Sequence, residues 1–194
     1  MTIDNKKPCP VCRLDEQDVV READHGERIT YNCARCGRFT ITRTAERKAE
    51  NMEIISKLSA WIRERNEWEI DVPEINSNSL QEIVQSIPDY NPSDKQLLLL
   101  RAIARKSKYP GDSISLLPGF DYPLAWASAE EEFFYYIRSL INRGLLAWTK
   151  EGPQAFGDMA IEVEVSADGW DYLDQSAQHS AEFGQVFVAM SFSE

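Results

Sequence analysis

No cysteine follows Cys36 in this 194-residue chain, only two histidines occur, and no apolar run approaches the roughly 18 residues that a membrane span needs. The opening MTIDNKKPCPVC lacks the apolar stretch of a secretory signal, so a soluble, cytoplasmic protein with no membrane partner is expected. Positive charge is scarce. Against 32 Asp and Glu stand 21 Lys and Arg, and the net charge of −11 opposes nonspecific attraction to nucleic acid. Chemical motifs are scarce as well: there is no serine nucleophile elbow, no phosphate-cradling glycine loop, and neither histidine sits in a catalytic motif. No enzyme is expected within these residues. What is present, 43% hydrophobic and 10% aromatic residues, is the composition of a folded globular chain.

The cysteines that do occur are concentrated. Cys9-Pro-Val-Cys12 and Cys33-Ala-Arg-Cys36 form two C-x2-C pairs separated by twenty residues. Two-residue spacing lets both thiolates of a pair turn onto one ion, with the amides of the tight turn pointing at sulfur. Two disulfides would need an oxidising compartment, and a redox pair would leave the second C-x2-C unexplained. One structural Zn²⁺ held by Cys9, Cys12, Cys33 and Cys36 is the expectation, with a closed shell and no position open for catalysis. His25 in the intervening loop reads as a turn residue rather than a ligand. The stretches Arg28–Asn32 and Phe39–Thr42 alternate in polarity and are rich in β-branched and aromatic residues, so they read as a hairpin whose turn holds Cys33 and Cys36. This is a zinc-ribbon arrangement.

Two local clusters run against the acidic total. Residues 28–48 hold six basic side chains against Glu46 alone, and residues 95–108 hold five with no acid. Arg35, Arg38 and Arg43 in the first, and Lys95, Arg101, Arg105, Lys106 and Lys108 in the second, are the candidate nucleic-acid contacts. The competing reading has Arg35 and Arg38 offsetting the charge of a metal–thiolate centre, and the second cluster as the solvated face of a helix.

A helical stretch is expected from residue 43 through residue 65, with Ile54, Leu58, Trp61, Ile62 and Arg65 on one stripe that packs between domains. A short helix precedes Pro88. From Ser93-Asp94, read as a cap, a helix runs to about residue 107 and buries Leu97, Leu98, Leu100, Ile103 and Ala104. Ser128 is read as the cap of a helix that begins with Glu130, Glu131 and Glu132 and ends at a Gly144 C-cap. Phe133, Phe134 and Ile137 are expected in the core, with Tyr135 and Tyr136 left for an interface. Residues 145–148 and 160–165 read as strands around a loop, then a strand-to-helix step follows. With the short segment 122–127 between the two longer helices, the order helix, short helix, helix, hairpin is that of a winged helix. Three carboxylates where a reading helix would enter the major groove favour protein contact or self-association over DNA for this part.

The expected class is therefore α+β, with a four-cysteine zinc ribbon (1–45) packed through a helical connector (46–92) on a winged-helix-like domain (93–176). The tail 177–194 holds an apolar strand, Val186-Phe-Val-Ala-Met-Ser-Phe192. Together with Cys-Pro-Val-Cys, Cys-Ala-Arg-Cys-Gly-Arg-Phe-Thr-Ile-Thr and Leu58-Ser-Ala-Trp-Ile-Arg-Glu-Arg-Asn-Glu67, it resembles a group of bacterial proteins. In that group a zinc ribbon and winged-helix region precede a TIR-like, nucleoside 2-deoxyribosyltransferase-like domain. The resemblance implies that 177–194 is a linker and the first strand of such a domain, cut off before its catalytic acid. It further implies a non-enzymatic sensor or assembly module that regulates an attached effector in prokaryotic antiphage defence. The other functional reading is a stand-alone zinc-dependent DNA-binding regulator.

Overall fold

The computed structural model describes residues 7–23, 26–52, 55–150 and 159–183, and shows an α+β chain with two sheets. The apolar tail strand and His25 lie outside the described residues, as does the loop 151–158.

The first sheet grows from the expected hairpin. β2 (Arg28–Cys33) and β3 (Gly37–Thr42) pair antiparallel with Cys33 opposite Gly37 and Tyr31 opposite Phe39. Period-two alternation sends Ile29, Tyr31, Phe39 and Ile41 into the core, where the Tyr31 and Phe39 rings stack at 5.5 Å. The buried Tyr31 hydroxyl donates to the carboxylate of Glu46 at 2.5 Å, which satisfies two polar groups that burial would otherwise leave unpaired. Two further strands escaped the sequence reading. β1 (Val19–Ala23) pairs antiparallel with β2, and the two-residue β4 (Glu74–Ile75) pairs parallel with β3, giving the order β1-β2-β3-β4.

The stretch expected as one helix is divided. α1 (Arg43–Ala49), capped by the Thr42 hydroxyl, stops because other groups take its terminal carbonyls. Asn51 Nδ2 donates to Arg47 O, and the Arg13 guanidinium reaches Ala49 O and Glu50 O. α2 (Ile55–Glu67) then buries Leu58 and Ile62 against the first sheet, while Ala60 joins Ile87 and Trp126 in a small cluster on its other side. Of the expected stripe, Trp61 and Arg65 are only partly buried, with the Arg65 guanidinium over the Trp61 ring, and Ile54 lies outside the described residues. Asn66 fixes the helix to the hairpin: its side chain accepts from Arg38 N–H at 2.9 Å and donates to Arg38 O at 3.0 Å. α3 (Ser79–Ser86) follows as expected before Pro88.

In α4 (Pro92–Lys106) the cap is Asn91, not Ser93-Asp94. Its side chain accepts from the Ser93 and Asp94 amides, Asp94 answers to the Asn91 amide, and Pro92 fits the first turn, where no N–H is needed. The buried face is correspondingly rotated to Gln96, Leu99, Leu100, Ala102 and Ile103, leaving Leu97, Leu98 and Ala104 partly covered. The chain continues through β5 (Ile114–Leu116), the short α5 (Pro118–Asp121) and a 3₁₀ turn Tyr122–Ala125. β5 was another strand the sequence reading did not contain.

α6 (Glu130–Asn142) is preceded at its N-cap by Ala129, with no side-chain cap, so Ser128 is not the cap. Instead the Ser128 amide donates to Glu132 at 2.7 Å. At the other end Gly144, at φ +72°, donates to Ile141 O while Leu145 donates to Leu140 O, a left-handed exit that favours glycine. β6 (Leu146–Trp148) and β7 (Ile161–Val165) complete a second antiparallel sheet in the order β5-β7-β6, and α7 (Ala167–Phe183) closes the described fold. Phe133, Phe134, Ile137, Leu140 and Val163 form the second core with the buried face of α4. Tyr136 is buried there too, donating to Glu132 at 2.7 Å, so of the two tyrosines only Tyr135 is exposed.

Candidate metal centre

Two tight turns carry the cysteines. In the first, Cys9 donates its amide to Leu14 O and accepts from Arg13, whose left-handed φ of +60° folds the segment back on itself. The second turn joins β2 to β3, with Cys36 N–H directed at Cys33 Sγ at 3.5 Å and Gly37 at φ +90°. A Cβ at Gly37 would lie 2.6 Å from Asn66 Cγ, so this glycine serves both the turn and the close approach of α2.

The turns converge on one point. Cys9 Sγ lies 3.9 Å from Cys36 Sγ, Cys12 Sγ lies 3.5 Å from Cys33 Sγ, and all four sulfurs fall within 4.8 Å of one another. A disulfide needs about 2.05 Å. A four-coordinate metal–thiolate centre with bonds of about 2.3 Å has sulfur–sulfur edges near 3.8 Å, which this cluster matches. All four cysteines are free and buried, and together they could hold a metal ion. Burial, with hydrogen bonds to the other sulfurs, pushes the Cys36 thiol well up, whereas a hydrogen bond from Cys12 holds Cys33 far down.

The surroundings bind the cluster to the rest of the chain. Ser59 of α2, fully buried, places its hydroxyl 3.2 Å from Cys36 Sγ. Arg35, between the cysteines of the second turn, donates from Nη1 to Cys12 O at 3.1 Å and from Nε to Gly119 O at 2.9 Å, with its guanidinium over the Tyr122 ring. Arg63 adds a second link. It donates to Ala34 O and Arg35 O and forms ion pairs with Glu67 at 2.9 Å and Asp121 at 2.7 Å. Ser59, Arg63 and Asp121 were not singled out from the sequence. The i,i+4 spacing of Arg63 and Glu67 was visible there, but nothing marked Asp121, whose role depends on tertiary approach.

The remaining candidate contacts are scattered. Arg38 pairs with Glu22 at the surface, and Arg43 is exposed at the start of α1. On α4, Lys95 pairs with Glu132 at 2.8 Å, Lys106 with Glu67 at 2.7 Å, and Arg105 stacks on Trp68 at 4.3 Å. Arg101 donates to Ser176 at 3.4 Å, and Lys108 is exposed. The second cluster is thus largely engaged with its own chain, and the two clusters do not merge into one basic surface.

These ion pairs give a pH dependence of definite sign. Burial alone would raise the Glu67 carboxyl, but the hydrogen bond from Lys106 and the charges of Arg63 and Lys106 hold it below its ordinary value of 4.5. Burial would likewise raise the Glu132 carboxyl, but the Lys95, Tyr136 and Ser128 donors and the Lys95 charge hold it below its ordinary value. A carboxyl depressed on folding contributes stability that is full above its unfolded value and lost as pH falls through the folded one. Urea midpoints are therefore expected to fall as pH drops below 4.5, and Glu67→Gln is expected to flatten that fall.

Compared with protein-family models, with curated proteins and with solved structures, the chain matches nothing. Among the described residues no helix is long and apolar enough to cross a membrane.

Proposed function

We propose that the four cysteines bind one structural Zn²⁺ as a zinc ribbon, and that the chain is a non-catalytic sensor or assembly module regulating an attached TIR-like effector. The observation that carries the scaffold part is Arg35. From inside the metal-binding turn it ties Cys12 O on one side to Gly119 O on the other, so a closed metal centre would brace the second half of the chain. Four soft thiolates in near-tetrahedral contact suit Zn²⁺, and a full sulfur shell leaves no position for a reacting water. When bound, the ion supplies charge balance and rigidity, while Arg35, Ser59 and Arg63 orient the turns around it.

A winged-helix reading of the second half is supported by its element order and by the β5-β7-β6 sheet, and self-association or a protein partner suits the exposed Tyr135 on α6. DNA binding is the alternative, disfavoured because Lys95 and Lys106 already have ion-pair partners within the chain and the two basic clusters do not merge into one surface. Fluorescence anisotropy with labelled duplex DNA at low salt tests it. The metal-loaded chain is expected to show no saturable binding; binding lost on Arg35→Ala with Arg38→Ala would favour the regulator instead. An effector attached in the native protein predicts an intact mass well above 22.2 kDa, and a native mass equal to it would remove that part of the proposal.

A further inference from the structure

A groove of about 360 Å³ lies away from the cysteines, where α4 and α7 run side by side and the turn after α2 meets them. Trp68, Arg101, Arg105, Trp170, Leu173 and Asp174 line it. Its volume is within the range of small-molecule sites, about 300–1,000 Å³. The residue types are unusual for a solvated helix face. Trp68 is 54% exposed, a large apolar ring left in water, and the Arg105 guanidinium sits 4.3 Å from its centroid. Trp170 packs against the second core, yet its Nε1 is buried with no acceptor among the described residues.

We propose that this groove binds a purine nucleoside monophosphate, its base stacking on the tryptophans and its phosphate meeting Arg101 and Arg105. Indole faces and guanidinium planes are the surfaces on which nucleobases stack, and a planar guanidinium pair matches a phosphate. The charge present fits one phosphate and not a polymer. Lys95 and Lys106 are committed to Glu132 and Glu67, and Lys106 shares Glu67 with Arg63, so no basic track continues along α4. Asp174 at the wall opposes added negative charge while offering an acceptor to ribose hydroxyls. A nucleotide here would be the ligand of the sensor reading, but it is tested by direct binding and needs no effector.

Isothermal titration of the metal-loaded chain with AMP and GMP tests it, with adenosine, inorganic phosphate, ATP and a short oligothymidylate as comparison probes. Saturable one-to-one binding of a monophosphate is expected, with adenosine, phosphate and ATP each weaker by roughly tenfold or more. Trp68→Ala and Arg101→Gln, at positions outside both cores, are each expected to weaken binding roughly tenfold with melting temperature unchanged. No saturable binding of either monophosphate, or binding unaltered in both variants, would overturn the proposal. Preferential binding of the oligonucleotide, with steep salt dependence, would also overturn it in favour of a single-strand surface. Either failure leaves the metal dependence of the fold untouched, so it is distinguishable from failure of the scaffold reading.

Discussion

Cys33→Ser is expected to abolish metal binding and unfold the sheet β1-β2-β3-β4, while β5, β6, β7 and α6 stay folded. Structural Zn²⁺ sites contribute about 10–16 kcal/mol at neutral pH, as large as the whole stability of an ordinary domain, about 5–15 kcal/mol. The first core cannot replace that contribution. The cysteines are themselves part of it, beside Val11, Tyr31 and Phe39, so losing the ion removes the bonds that hold the two cysteine turns together. The second core, built on Leu99, Leu100, Phe133, Ile137 and Val163, contains no sulfur. Amide exchange should read this division directly, with protection lost in residues 19–42 and retained in residues 130–148. Protection should also weaken around Gly119 and Tyr122, because Arg35 would no longer be held against them. A metal-free variant that melts at the parent temperature would refute the metal centre.

Gly169→Ala should be the most damaging single-methyl substitution in the second half. A Cβ there would run into the Leu145 carbonyl oxygen and lie 2.9 Å from Val165 Cγ1. Neither neighbour can move freely: Leu145 O accepts from Ser166, and Val165 is buried and paired with Leu146 across the sheet. Ser166 itself caps α7, accepting from the Gly169 amide at 3.0 Å and donating to Gly144 O, so the strand-to-helix step is fixed on both sides. Overpacking against backbone costs about 3 kcal/mol, which for a chain of this size lowers the melting temperature by roughly 6–12 °C. Gly119→Ala is the matched control. Its nearest neighbour is the end of the Glu130 side chain at 3.3 Å, so the change is expected to be neutral or stabilising by up to about 1 kcal/mol. Equal melting temperatures for the two variants would contradict the packing described at Gly169.

The cysteine cluster was legible because ligand spacing is local. Each C-x2-C turn is specified by four consecutive residues, and alternation around Cys33 and Cys36 announced β2 and β3. Helices α3, α4 and α6 followed from their periodicity, though the N-cap positions at Asn91 and Ala129 did not, since Ser93 and Ser128 offered capping side chains one or two residues away. β1, β4 and β5 were not legible. Val19–Ala23 has only one buried valine, one exposed valine and a charged pair to show for itself, and Glu74–Ile75 and Ile114–Leu116 are too short for a period to register; each exists because a partner strand is already there. The links from the metal centre to the second half were hidden for the same reason. Arg35 read as a phosphate contact or a solvated charge, and its bond to Gly119 O joins residues 84 apart in sequence. Tyr136 was hidden by its neighbours, because four consecutive aromatics mark a helix without saying which face turns inward.

The most direct test is X-ray absorption at the zinc edge, with metal quantitation, on the protein purified without added metal. One zinc per chain is predicted, ligated by four sulfurs at about 2.3 Å with no nitrogen or oxygen in the shell. A folded protein lacking stoichiometric metal, or a shell containing nitrogen or oxygen, would contradict the closed centre on which the account rests.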